Sequence, residues 1–185
     1  PDGSRDEIAT DAYGKITTKY DKYGDISETL LENENGDKTR IVNIDDGKEA
    51  VDELDENGEI KSRTIINNGE VEKFIEYNSD GSRDETFEYK DQTHVLHYDT
   101  DGTLTETFKN DGTTFVIKYD SNGNEEYSTY IHEDGTITVR YQDYPNYNFI
   151  YDENGNLDDI SDIYGEYIEY NDNGEIERTS VPEEN

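Results

Sequence analysis

The residues of this chain whose type and spacing could do chemistry are its acids. Asp and Glu account for 48 of the 185 residues, and many stand in short turn-like segments such as Leu54-Asp55-Glu56-Asn57-Gly58, Asp99-Thr100-Asp101-Gly102 and Asp120-Ser121-Asn122-Gly123. Calcium takes six to eight oxygen ligands from carboxylates and carbonyls. Alternate turns of an antiparallel meander share one edge, at about 9.6 Å for two strands. Asp55, Asp99, Asp101 and Asp120 would then form a row able to gather divalent cations, with calcium the ion nominated. None of these turns carries a twelve-residue ligand loop ending in Glu, and an Asp that opens a type I turn is also explained by bonding to its own backbone. The same acids therefore support two readings, a cation edge and solvated turn carboxylates.

Other chemistries find less. His94 and His97 are three apart, which on a strand sends them to opposite faces, and His132 is distant. They read as strand-surface residues, with no His in an expected turn. No Gly-x-Ser-x-Gly elbow is present, and Cys is absent, which removes thiol nucleophiles and zinc-thiolate sites. Carboxylate pairs suited to glycoside hydrolysis are unavoidable among 48 acids and so identify nothing. The chain reads as a non-enzyme. Its 16 Tyr, against five Phe and no Trp, suit a carbohydrate- or peptide-binding platform or, equally, strand surfaces held by cross-strand aromatic pairs.

The elements that must position these residues are marked by glycine. The 15 Gly recur mostly every nine to twelve residues from Gly3 to Gly174, and the two double intervals hold Gly-free turns at Lys90-Asp91-Gln92 and Tyr144-Pro145-Asn146. Six Gly follow Asn and six follow Asp. Asn-Gly and Asp-Gly between strand-forming runs are the strongest local hairpin signal, and Asp-x-Asn-Gly predicts a type I turn closed by Gly in a G1 bulge. About 16 short strands fit between Gly3 and Gly174 at this spacing. Phe115, Ile117 and Tyr119 alternate with Thr114, Val116 and Lys118, as do Ile137, Val139 and Tyr141 with Thr138 and Arg140, which predicts one apolar and one wet face. A second period of 21 to 22 residues joins Tyr77, Tyr98, Tyr119 and Tyr141, and predicts a row of rings on one face at one edge.

The fold class expected is all-β: a repetitive antiparallel β-hairpin array, largely single-layer or coiled to bury an Ile/Phe/Tyr face, with a two-strand-per-turn β-solenoid as rival. Residues 1–180 read as a single array and 181–185 as a frayed tail. Composition alone points elsewhere, since Leu, Ile, Val and Phe make up only 35 residues and the net charge is −32, values at the threshold of disorder. A regular turn ruler is what a disordered chain would not keep. The acidity disfavours nucleic acid and anionic lipid surfaces and favours cations or basic proteins as partners; no apolar run is long enough to insert in a membrane. Beginning at Pro1 and lacking Met, the sequence reads as a processed product or an excised piece.

The units Tyr20-Asp21-Lys22-Tyr23-Gly24, Tyr98-Asp99-Thr100-Asp101-Gly102, Tyr119-Asp120-Ser121-Asn122-Gly123 and Tyr151-Asp152-Glu153-Asn154-Gly155 resemble the YD repeats of bacterial RHS-type and wall-associated proteins. Where that pattern has Arg after the turn glycine, this chain has Asp25, Thr103, Asn124 or Asn156. The resemblance implies an extracellular or cell-surface bacterial sheet, sometimes wound as a shell around a toxin, with no catalytic residues to transfer. A structural spacer, shell or adhesive scaffold is then the expected function, its partners being neighbouring repeats of a longer chain or copies of itself. A calcium-binding repeat module and part of a polymorphic-toxin shell are the alternatives.

Overall fold

A computed structural model describes residues 3–45, 47–162, 167–171 and 173–180; the tail expected at 181–185 lies outside them. Among the described residues there are seventeen β-strands and no helix. They fall into two compact units, Pro1–Glu88 and Tyr89–Asn185. The first holds β1 (Arg5–Asp11), β2 (Gly14–Tyr20), β3 (Ile26–Asn33), β4 (Lys38–Asp45), β5 (Lys48–Leu54), β6 (Ile60–Asn67), β7 (Glu70–Tyr77) and β8 (Arg83–Tyr89, whose last residue belongs to the second unit). The second holds β9 (Gln92–Tyr98), β10 (Leu104–Asn110), β11 (Thr113–Tyr119), β12 (Glu125–Ile131), β13 (Ile137–Tyr141), β14 (Tyr147–Tyr151), β15 (Leu157–Asp162), β16 (Tyr167–Tyr170) and β17 (Ile176–Ser180).

Within each unit every strand pairs antiparallel with its chain neighbours. The all-β hairpin array is therefore what forms, and the solenoid, which would stack strands of like direction, is not. The sixteen strands expected between Gly3 and Gly174 are β1 to β16; β17 follows the last glycine of the ruler.

Two kinds of turn recur. In nine, the glycine N–H donates to the carbonyl three residues back, and the turn's first residue donates its N–H to the carbonyl four residues on, as in Gly123 to Asp120 (3.0 Å) and Asp120 to Asn124 (2.8 Å). The nine glycines have φ between 74° and 93°, the expected type I turn with G1 bulge. The other kind has two central residues at positive φ, Asn68-Gly69 between β6 and β7 and Asp111-Gly112 between β10 and β11, as type I′ hairpins require. Lys90 and Asp91 adopt the same geometry without glycine, at φ 51° and 62°.

The expectation of one continuous apolar face fails, for a reason of register. In the second unit Leu96 lies opposite Glu106, Glu106 opposite Ile117, Ile117 opposite Ser128 and Ser128 opposite Arg140. One face thus advances 21 residues from β9 to β11, but 23 from β11 to β13, because a five-residue β12–β13 turn stands in place of the two-residue β10–β11 turn and the bulge between Lys118 and Tyr119 takes one residue back. Tyr98 and Tyr119 duly flank Leu104 on one face. Tyr141, 22 residues after Tyr119, is paired with Tyr127 and Tyr127 with Lys118, so it points to the opposite face. Phe115, Ile117 and Tyr119 therefore lie on the side away from Ile137, Val139 and Tyr141.

Burial inverts the usual order as well. Ala50 is the one buried hydrophobic residue among those described, whereas Asp52, Ser82, Glu85, His94 and Ser128 are all buried. Ile8, Val71 and Ile176 are each more than 60% exposed. A coil burying an Ile/Phe/Tyr face is thus replaced by half-buried apolar residues on both faces and a few deeply covered polar ones.

Asp91→Gly is expected to raise stability by about 0.5–1 kcal/mol, since a left-handed conformation costs an L-residue roughly 1–2 kcal/mol and glycine also loses chain entropy. The urea midpoint of the variant checks this.

Candidate functional site

The most covered side chain in the first unit is a carboxylate. Asp52, with 0% exposure, sits on β5 directly opposite Arg40 of β4 and Arg63 of β6. Three consecutive strands so present base, acid and base in one row across the sheet. Arg40 donates through Nε (3.0 Å) and a terminal nitrogen (2.6 Å) to Oδ2, while Arg63 donates through Nε to Oδ1 (2.6 Å) and a terminal nitrogen to Oδ2 (3.0 Å). The planar forks of arginine fit a carboxylate two bonds at a time, so one acid ties three strands. Burial pushes the Asp52 carboxyl up, but hydrogen bonds and charge from Arg63 and Arg40 outweigh it and hold the group below the usual carboxylate range.

Glu85 on β8 repeats the device. It is 6% exposed and bound by Lys73 of β7 (2.6 Å) and by Arg83 of its own strand (3.0 Å). Burial again opposes ionisation and the two cations again prevail.

In the second unit the same role falls to rings. His94 stacks on Phe108 at 4.7 Å between centroids, Phe108 on Phe115 at 4.8 Å, and Phe115 meets Tyr130 edge-on at 5.1 Å. Each pair is in direct register across β9, β10, β11 and β12. His94 also meets the Glu106 carboxylate through Nδ1 at 2.8 Å, and the Tyr119 hydroxyl donates to the same acid at 3.4 Å. His94 is therefore a buried member of a ladder, not a strand-surface residue. His97 lies opposite Thr105 on the other face. His132 opens the β12–β13 turn, against the expectation that no His would, and its Nε2 lies 3.1 Å from the Thr138 hydroxyl.

The nominated turn acids are placed as follows. Asp55 opens the β5–β6 turn, and its Oδ1 accepts the N–H groups of Asn57 (2.9 Å) and Glu59 (2.8 Å). In the second unit Asp99 and Asp101 share the β9–β10 turn and Asp120 opens the β11–β12 turn; a Cβ on Gly102 would lie 3.3 Å from that of Ser121, so the two turns are neighbours. Asp99 accepts from Thr100 N–H (2.7 Å), Asp101 from Thr103 N–H (2.9 Å), and Asp120 from Asn122 and Asn124 N–H (2.8 Å each). The Asn124 side-chain amide also donates to Asp120 Oδ2 (2.9 Å). Hydrogen bonding, led by that amide, lowers Asp120 to about 2. Backbone N–H groups likewise hold Asp55 and Asp101 below the ordinary range. Among the described residues no three His, Asp or Glu side chains converge closely enough to hold a metal ion.

One acid behaves in the opposite way. Asp159 on β15 lies opposite Ile150 and Glu169, and its Oδ1 is buried with no hydrogen-bond partner. Burial, then the charges of Glu169 and Asp158, push its carboxyl up. The ion-paired acids and the ring ladder were missed by sequence reasoning because no local spacing marks them; they emerge only when strand register is fixed. No protein-family model matches this chain, and no curated protein matches it either.

A lowered carboxylate stabilises the fold fully above its unfolded value of about 3.9 and loses that contribution as pH falls through the folded value. Asp52→Asn is thus expected to cost about 2–3 kcal/mol at neutral pH, less than the ~3–5 kcal/mol for a fully buried pair because both guanidinium groups keep contact with water. The deficit shrinks in strong acid. Asp159 has the reverse sign: its protonated form is the stabilising one, so Asp159→Asn raises stability at neutral pH and has no such benefit in acid. Urea titrations of both variants across pH check the two signs.

Proposed function

We propose that this chain is a non-enzymatic structural element: a hairpin-repeat spacer, shell or adhesive scaffold, extracellular or on a bacterial cell surface, that joins neighbouring repeats or copies of itself. The observation that carries this reading is where its buried chemistry goes. Of the covered polar groups, Asp52, Glu85 and His94 are engaged with side chains of adjoining strands, and among the described residues of each unit the strands lie against their neighbours in the chain. An architecture of nearest-neighbour contacts suits a part whose length matters more than a single site. The YD-like turns, Tyr98-Asp99 and Tyr119-Asp120 among them, support the surface setting by resemblance and extend to a toxin-shell role. The turn acids support a second reading, a calcium-ordered edge, through the neighbouring Asp99-Asp101 and Asp120 turns. Asp120 would first have to release the amide donors that hold both its oxygens.

A deletion tests the scaffold reading. Removing residues 99–119 joins Tyr98 to Asp120 and keeps a Tyr-Asp-x-Asn-Gly turn, so an array element folds with the same β circular-dichroism signature and a lower melting temperature. Collapse to a disordered spectrum would oppose the reading. Melting the intact chain with and without millimolar calcium separates the two proposals: an unchanged midpoint fits the scaffold, and a rise of several degrees fits the calcium edge.

A further inference from the structure

We propose that the aromatic patch on β12, β13 and β14 is a docking site for a basic peptide segment presenting Arg or Lys side chains. Tyr127 and Tyr141 face each other across β12 and β13 with centroids 5.9 Å apart, and Phe149 of β14 meets Tyr141 edge-on at 5.4 Å. Tyr144, in the turn between β13 and β14, meets Phe149 at 6.4 Å. Tyr147 precedes Phe149 by two residues and so shares its face. In contrast to the buried His94, these rings stay open: Tyr141 is 36%, Tyr147 42% and Tyr144 58% exposed.

Charge selects the occupant. Between Asp120 and Asp162 eleven acids stand against one base, Arg140, and that base lies on the opposite face, opposite Ser128 and donating to Asn148 Oδ1 (3.0 Å). Lys118, beside Tyr127, is already joined to Glu126 (3.6 Å). Elsewhere the chain places its own cations over its tyrosines, Arg5 over Tyr20 at 4.1 Å and Lys22 over Tyr23 at 4.8 Å. Around Tyr141, Tyr144 and Tyr147 the segment has electron-rich rings, with Glu126, Asp143 and Asp162 close in sequence or register, and no cation of its own to lay on them. A guanidinium or ammonium group gains from ring face and carboxylate together, whereas a neutral sugar gains only from the ring. This inference stands on the patch alone and does not depend on the scaffold reading.

The test titrates the intact protein with a fluorescein-labelled (Arg-Gly)n peptide and follows anisotropy, with a (Glu-Gly)n peptide and a neutral oligosaccharide as comparison probes. The Tyr144→Leu/Tyr147→Leu double variant is expected to weaken Arg-Gly binding about three- to tenfold, while Tyr144→Phe/Tyr147→Phe, which keeps the rings, binds as the parent does. Tyr13→Ser/Tyr23→Ser, altering exposed rings of the first unit, should leave affinity unchanged. Circular dichroism confirms that each variant retains the fold. Equal affinity for parent and Leu variant, or equal losses in the first-unit control, would mean diffuse attraction to a polyanion and would overturn the site. Binding of the oligosaccharide but not of the Arg-Gly peptide would overturn it in favour of a sugar platform.

Discussion

Among the described residues of each unit, a strand lies against its neighbours in the chain, and a long side chain such as Lys48 of β5 reaches one strand further, to Glu72 of β7. What stabilises the sheet therefore acts mainly across the seams between neighbouring strands. Ordinary domains bury aliphatic faces against a second layer, but here Ala50 alone is a buried hydrophobic among the described residues. The remaining option is to make the sheet's own rows cohesive. The Arg40-Asp52-Arg63 row does so with charge-assisted forks, and the His94-Phe108-Phe115-Tyr130 row does so with ring contacts. Cross-strand pairs of either kind contribute about 0.2–1 kcal/mol each when exposed, and more where the partners are covered.

This arrangement also gives the net charge of −32 a structural setting. The bases are scarce and are drawn into the seams: Arg40, Arg63, Lys73 and Arg83 hold buried acids, and Lys19, Lys48 and Lys118 bridge strands at the surface. Turn acids such as Asp55 and Asp120 are engaged by N–H groups of their own turns, which favours the anionic form without a countercharge. The excess negative charge is thereby left outward, where it discourages sideways pairing of strands between copies.

The local features of the fold are legible in the sequence because they are set by a few residues at a time. Asn57-Gly58 and Asp101-Gly102 specify their G1 turns whatever surrounds them, and the ruler they form locates sixteen of the seventeen strands. Facial assignment is not legible in the same way, because each connection and each bulge changes parity. The bulge between Lys118 and Tyr119 and the longer β12–β13 connection together put Tyr141 on the face opposite Tyr119. Asp52 is hidden for a related reason. Nothing in its neighbourhood separates it from 47 other acids until the irregularity between Asn43 and Asp45 fixes which residue of β4 it meets. Register, more than residue type, decides which charges become buried pairs.

The claim that seams carry the fold is tested most directly by a double-mutant cycle on Asp52 and Arg63, with Asp52→Ala, Arg63→Ala and the double variant unfolded in urea at neutral pH. The account predicts a favourable coupling of at least about 1.5 kcal/mol, as for charge-assisted hydrogen bonds between covered groups. Additive single effects, with a coupling near zero, would contradict it.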